Sequence, residues 1–159
     1  LETLFHTGLC FACGEGGARD YEQAARCYEE AAAKGHGLAQ FNLAIMYELG
    51  QGKPHDLVKA RAWMLRAAEA GDAGAQFRLG TMEDLVNRAG HRRPEQHLDT
   101  SENRIESLKW ATLAAAQGYR GAQLSCQNIA LEMSWDEVAE GERRAKAFVP
   151  RSRNTPLAA

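Results

Sequence analysis

A fixed offset of 36 residues constrains this chain more than any other feature. Phe5, Gly14, Gly16, Asp20, Ala24, Ala31, Ala32 and Gly35 recur as Phe41, Gly50, Gly52, Asp56, Ala60, Ala67, Ala68 and Gly71. Self-similarity at such a period marks stacked helical hairpins, each burying its apolar face only against its neighbours. Ala39-Gln40-Phe41 returns at Ala75-Gln76-Phe77, again 36 residues on. Trp63, Ala67, Ala68 and Gly71 return at Trp110, Ala114, Ala115 and Gly118 after 47, so the third repeat holds an 11-residue insertion between its helices. The expected fold is all-α, an α-solenoid of about four antiparallel hairpins over residues 1–148. Its repeats fall at about 1–36, 37–72, 73–119 with an insertion at 86–100, and 120–148 as a capping hairpin. Residues 149–159 lack apolar periodicity and read as a flexible tail.

Local signals give each repeat two helices. Ala39, Leu43, Ala44 and Tyr47 recur at helical spacing, which predicts a first helix over Leu38–Leu49. Gly50 supplies the stop, and Gly52 with Pro54 keeps the connection from resuming a helix. Asp56 then offers its carboxylate to an orphan N–H of the next helix, as do Asp20 and Asn103 at equivalent places. Asn103 with Glu106, and Ser134 with Glu137, have capping-box spacing. The second helix, Leu57–Ala70, carries Ala60, Trp63, Ala67 and Ala68 on one face. Trp63 and Trp110 are therefore expected to be largely buried between hairpins. In the last helix Trp135, Val138 and Ala145 are expected to face the core, with Arg143, Arg144 and Lys146 toward water.

Composition excludes several classes. With 45% apolar residues, 25% charged residues and a net charge of −2, the chain has neither the signature of disorder nor a global attraction to nucleic acid. No stretch approaches the roughly 18 apolar residues of a membrane span, so no membrane insertion is expected. The first residue is Leu1, which reads as a processed or trimmed product or a segment of something longer, with any targeting signal out of view. The compartment, periplasmic or cytoplasmic, and the oligomeric state stay open.

These residues resemble the Sel-one-like repeat family, relatives of the tetratricopeptide repeats, over about Leu4–Phe148. There a first helix patterned A-x-x-x-L-G-x-x-Y leads into G-x-G and then D-x-x-K-A-x-x-W-x-x-A-A-x-x-G. The second repeat carries Ala39, Leu43, Ala44, Tyr47, Gly50, Gly52, Asp56, Lys59, Ala60, Trp63, Ala67, Ala68 and Gly71 at those places. The third departs from it: Glu83 stands for the tyrosine, and Val86 and Asn87 replace the first loop glycine and the residue after it. The resemblance implies a right-handed superhelix that serves as an adaptor, mostly without catalysis of its own.

It also implies that first helices line the concave side. Phe5, Phe41, Phe77 and Leu124 then form one row and Leu9, Ile45, Thr81 and Asn128 the next, edged by Glu48, Asp84 and Glu132. An apolar floor with an acidic rim suits a basic, partly apolar peptide or protein segment. The candidate partner-binding residues are Phe41, Ile45, Glu48, Phe77, Thr81, Asp84 and Asn128. Phe41 and Phe77 also fit a second reading, as packing residues between hairpins.

Candidate chemistry is sparse. His6, Cys10 and Cys13 share a helical face and Cys27 comes from the facing helix. Buried reduced cysteines, a disulfide from Cys27 to Cys10 or Cys13, and a closed zinc site all remain open, the first favoured because Cys27 and Cys126 occupy expected core positions. The basic insertion from Arg88 to His97 reads as a solvated excursion, partly neutralised by Glu95, Asp99 and Glu102. No nucleophile motif or phosphate loop appears. The expected function is a non-catalytic adaptor for a protein or peptide, with no cofactor and no nucleic acid. The alternative is an envelope-associated hydrolase or ligand-binding enzyme accessory of the β-lactam or peptidoglycan type.

Overall fold

Short capped helices account for nearly all of the described chain. The computed structural model describes residues 1–88 and 100–150, with side chains throughout except at 83–88 and 100. It contains α1 (Glu2–Cys13), α2 (Tyr21–Ala33), α3 (Gly37–Leu49), α4 (Leu57–Glu69), α5 (Ala73–Arg88), α6 (Thr100–Ala116), α7 (Ala122–Ala130) and α8 (Trp135–Lys146). Among the described residues there is no strand, so the class is all-α as expected. The chain divides into two compact units, one comprising Leu1–Asp72 with Pro150 and the other Ala73–Val149.

In the first unit α1 pairs with α2, α3 pairs with α4, and α2 lies against α3 to join the hairpins. The caps follow the sequence: Asp20 and Asp56 accept the backbone N–H of Gln23 and Lys59, each at 3.0 Å. Asp56 is held below the usual carboxylate range, chiefly by the hydrogen bond from the Lys59 N–H. Gly14 and Gly50 close α1 and α3 in the left-handed conformation, φ 77° and 69°. Alanine allows the close approach, since Ala24, Ala25, Ala31 and Ala32 of α2 are all buried. Around them lie Phe5, Tyr28, Leu43, Met46 and Tyr47. Full burial of a side chain such as Leu43 contributes about 1.5–3 kcal/mol.

Polar clips fix how one hairpin meets the next. Gln40 Nε2 donates to the Ala32 carbonyl at 3.1 Å, a second bond to an acceptor near the end of α2 that also receives the Gly35 N–H at 3.0 Å. The Tyr47 hydroxyl donates to Glu29 Oε1 at 3.2 Å, while Lys53 pairs with Glu29 Oε2 at 2.8 Å. Trp63 is buried over most of its surface, though less completely than a core residue. It packs one side on the core, and the Arg66 guanidinium lies 4.5 Å from its ring centroid.

In the second unit α6 is the central element, packed against α5, α7 and α8. Helix α5 continues through Val86 and Asn87 to Arg88, because the glycines that stop α1 and α3 are missing there. Helix α6 begins at Thr100, so Asn103 lies in its first turn and is not the cap its spacing suggests. Most of the insertion, 89–99, and the tail from 151 lie outside the described residues. Trp110 is 5% exposed, as expected, and meets Phe148 edge-on with ring centroids 5.5 Å apart.

Helix α8 corrects two expectations. Its Ser134–Glu137 capping box forms as its spacing predicts, and Ala145 is buried. Trp135, however, is 91% exposed. The buried face of α8 is set by Gly141 and Ala145, and Gly141 sits so close to α6 that an added Cβ would lie 3.0 Å from a Leu108 side-chain carbon. Small residues there bring the two backbones together and leave Trp135 on the opposite side. Arg144 does not simply face water: it reaches Glu106 at 2.9 Å and Glu140 at 2.8 Å and also engages Glu102, tying α8 to α6.

Candidate functional site

The seven candidate residues fall in both units. Phe41, Ile45 and Glu48 stand on α3 in the first; Phe77, Thr81, Asp84 and Asn128 stand on α5 and α7 in the second. Phe41, Ile45 and Glu48 are half-buried, as are Phe77 and Thr81, whereas Asn128 is exposed. The Asp84 side chain lies outside the described residues. The Thr81 hydroxyl turns back onto its own helix, contacting the carbonyls of Phe77 and Arg78 at 3.1 and 3.0 Å.

The phenylalanine row has a packing role at two of its members. Phe5 stacks on His36 with ring centroids 4.7 Å apart, and Phe77 lies against Tyr119 at 4.9 Å. His36 and Tyr119 each stand just ahead of the following first helix, so an aromatic pair fastens successive hairpins at these junctions. His36 is also the N-cap of α3, its Nδ1 accepting the Ala39 N–H at 3.2 Å. Leu124 occupies the same repeat position on α7 and is 62% exposed.

The second row gives a hollow in the first unit. Leu9 and Ala12 of α1, Asn42 and Ile45 of α3, and Tyr21 and Tyr28 of α2 surround a space of about 210 Å³. Its floor is aromatic, and the Tyr28 hydroxyl pairs with the Asn42 side chain. Burial of its ring pushes the Tyr28 phenol above its ordinary range, so it stays neutral near pH 7. A hollow of this size and lining accepts one apolar side chain. In the second unit a larger space, about 550 Å³, opens between α7 and α8 beside Leu131, Met133, Trp135 and Val138, with Asn128 at its rim. Sequence reading missed it, since Trp135 was placed in the core and Leu131 was not singled out.

The four cysteines are all free thiols, and none is fully buried: Cys13 is exposed and Cys10, Cys27 and Cys126 are half-buried. They are reduced, as the favoured reading has it, but less buried than core positions imply, and no disulfide joins Cys27 to Cys10 or Cys13. The Cys10 thiol donates to Glu15 Oε2 at 3.3 Å, which raises its pKa, and burial raises those of Cys27 and Cys126. All three are therefore poorer thiolates than a free cysteine. Among the described residues no group of three or more His, Cys, Asp or Glu side chains is placed to hold a metal ion. No described helix is long and apolar enough to cross a membrane.

The Sel1 repeat model matches residues 2–36, 37–72 and 73–119, three consecutive repeats covering most of the chain. The chain belongs to the Sel1 repeat family. Among solved structures it is similar to a Sel1 repeat protein from Oxalobacter formigenes, at 25% identity and a TM-score of 0.68, covering 92% of this chain and 61% of that one. It is also similar to a protective antigen of uropathogenic Escherichia coli strains that displays an SLR fold, at 25% identity and a TM-score of 0.52, covering 92% of this chain and 38% of that one. The chain thus spans less than two thirds of the length of either. No curated protein matches it. Sel1 repeats serve in general as scaffolds for protein–protein interaction.

Proposed function

We propose that this Sel1 repeat chain is a non-catalytic adaptor that holds a protein segment on the faces of its first helices. In the first unit the segment inserts an apolar side chain between Leu9 and Ile45, beside Phe41, while Glu48 at the edge of α3 favours a basic neighbour. In the second unit Phe77, Thr81, Asp84 and Asn128 offer the corresponding face of α5 and α7. The observation that carries this reading is the hollow of about 210 Å³ between α1 and α3, where apolar and aromatic walls surround a few polar groups. Such a site contributes a single anchor, and the rest of the affinity comes from contacts along the helices.

The test uses two variants of the full chain. Ile45→Glu places a charge in the hollow, and Glu48→Lys combined with Asp84→Lys reverses the acidic rim. Both should abolish capture of the cellular partner while the far-ultraviolet circular dichroism stays that of the parent. Capture that survives both substitutions would show that the first-helix faces are not the binding surface. Turnover of peptidoglycan or a β-lactam by the isolated chain, lost on replacing a single carboxylate, would instead favour the hydrolase reading.

A further inference from the structure

Helix α1 ends on the run Cys10-Phe11-Ala12-Cys13, two thiols one turn apart. Helical geometry sets their Cα atoms about 5 Å apart, inside the span of roughly 4.4–6.8 Å that a disulfide bridges. The two sulfurs are near enough to act on one another electrostatically. Cys13 is the last residue of α1, and Gly14 follows in the left-handed conformation, so the small approach that a bond requires falls at the end of the helix and not in its interior.

Cys27 stands apart from this pair. A Cβ on Gly8 would lie 3.1 Å from the Cys27 Cβ, so Cys27 packs against the Gly8 side of α1. At about 100° per residue, that side is about 160° round the helix from Cys10 and about 140° from Cys13.

The surroundings of the pair are asymmetric. Cys13 is exposed, whereas Cys10 is half-buried and its thiol donates to Glu15 Oε2. The turn that closes α1 places Glu15 for this, since the N–H groups of Gly14 and Glu15 both bond to the Cys10 carbonyl at 2.9 Å. The carboxylate and the C-terminal end of the helix both oppose negative charge on sulfur, so Cys10 rests as a thiol. An exposed sulfur that meets the oxidant, beside a sheltered one that can close on it, is the arrangement of a redox-sensing pair.

We propose that Cys10 and Cys13 are an oxidation site: hydrogen peroxide converts Cys13 to the sulfenic acid, Cys10 resolves it as a disulfide within α1, and Glu15 restrains Cys10 until then. In the first step the Cys13 sulfur attacks the O–O bond of the peroxide; sulfur is oxidised, the peroxide is reduced, and water leaves. In the second the Cys10 sulfur attacks the Cys13 sulfur and the S–O bond breaks. The departing hydroxide takes up the Cys10 proton as a second water. Two thiols become one disulfide and one peroxide becomes two waters. A dithiol reductant reverses the change by exchange. The site is independent of the adaptor reading.

Peroxide treatment of the full chain, followed by alkylation, trypsin cleavage and mass spectrometry, tests this. Cleavage after Arg19, Arg26 and Lys34 puts Cys10 and Cys13 in the peptide 1–19 and Cys27 in the peptide 27–34. The expected product is the peptide 1–19 unalkylated and two hydrogens lighter than its reduced form, with Cys27 still alkylated. Glu15→Gln should speed its appearance several-fold at neutral pH, because Cys10 then gives up its proton more readily. Glu15 is exposed, so the circular dichroism of that variant should match the parent. In Cys10→Ser, which lacks the resolving thiol, Cys13 should pass on to the sulfinic acid. A product joining 27–34 to 1–19, a parent chain whose Cys13 reaches the sulfinic acid while Cys10 is alkylated, or a peptide 1–19 that stays fully alkylated overturns the proposal. An unchanged rate in Glu15→Gln overturns the part assigned to Glu15.

Discussion

Gly52 and Gly16 occupy the same place in successive repeats, and both take the left-handed conformation, φ 66° and 89°. Their surroundings differ. A Cβ on Gly52 would fall 2.0 Å from the Tyr21 carbonyl oxygen at the start of α2, whereas nothing lies within 4 Å of one on Gly16. The loop of the second hairpin rests on the first, while no described residue rests against Gly16 in the loop of the first. Gly16→Ala should therefore cost only the backbone strain, about 1–2 kcal/mol, and Gly52→Ala should cost about 3 kcal/mol or more because backbone must also move. Urea titration of both variants checks the difference, and equal losses would contradict it. The tryptophans are ranked in the same way. Trp110→Ala should cost about 3–5 kcal/mol through lost burial and an unfilled cavity, and Trp63→Ala somewhat less, about 2–3 kcal/mol, since its ring is less completely covered. Repeat identity alone makes the two positions equal, because Trp63 and Trp110 align; the neighbours that cover one more fully than the other come from residues the alignment does not weigh, such as Phe148.

At the scale of elements, α8 is held to α6 by charge as much as by packing. Arg144 bridges Glu102, Glu106 and Glu140, and the hydrogen bonds from Arg143 and Arg144 hold the Glu140 carboxyl down at about 2. A carboxylate depressed in the folded state contributes stability that is fully present above its unfolded pKa, near 4.3, and is lost as pH falls through its folded value. The melting temperature should therefore fall between about pH 4.3 and pH 2, and Glu140→Gln should flatten that slope. Arg144→Ala at neutral pH should cost about 1–2 kcal/mol, a figure reduced because the network is partly exposed and screened. Helix limits and most caps were legible in the sequence because Asp20, Asp56, Ser134, Gly14 and Gly50 act on groups within a few residues of themselves. The start of α6 was not, because Asn103 has a cap's spacing yet sits inside a helix that begins at Thr100. The direction of Trp135 was not legible either. A large apolar residue at helical spacing reads as core, and only the close contact of Gly141 with α6 shows that the core lies on the other side.

For the whole molecule, the 36-residue period was enough to identify paired helices and the family, because every repeat restates the same packing problem. It was not enough to rank surfaces for binding. The periodic positions are shared between packing and exposure: Phe5 and Phe77 stack across junctions while Leu124, at the same position, stands in solvent. The adaptor reading therefore rests on the hollow beside Ile45 more than on the row of aromatic residues. The most direct test is site-specific photo-crosslinking of the full chain in its native cell, with a photoreactive residue in place of Ile45 and, as a control, in place of Arg26 on the exposed side of α2. The account predicts one defined protein adduct from position 45 and none from position 26. Crosslinks of equal yield from both positions, or adducts to nucleic acid or lipid instead of protein, would contradict it.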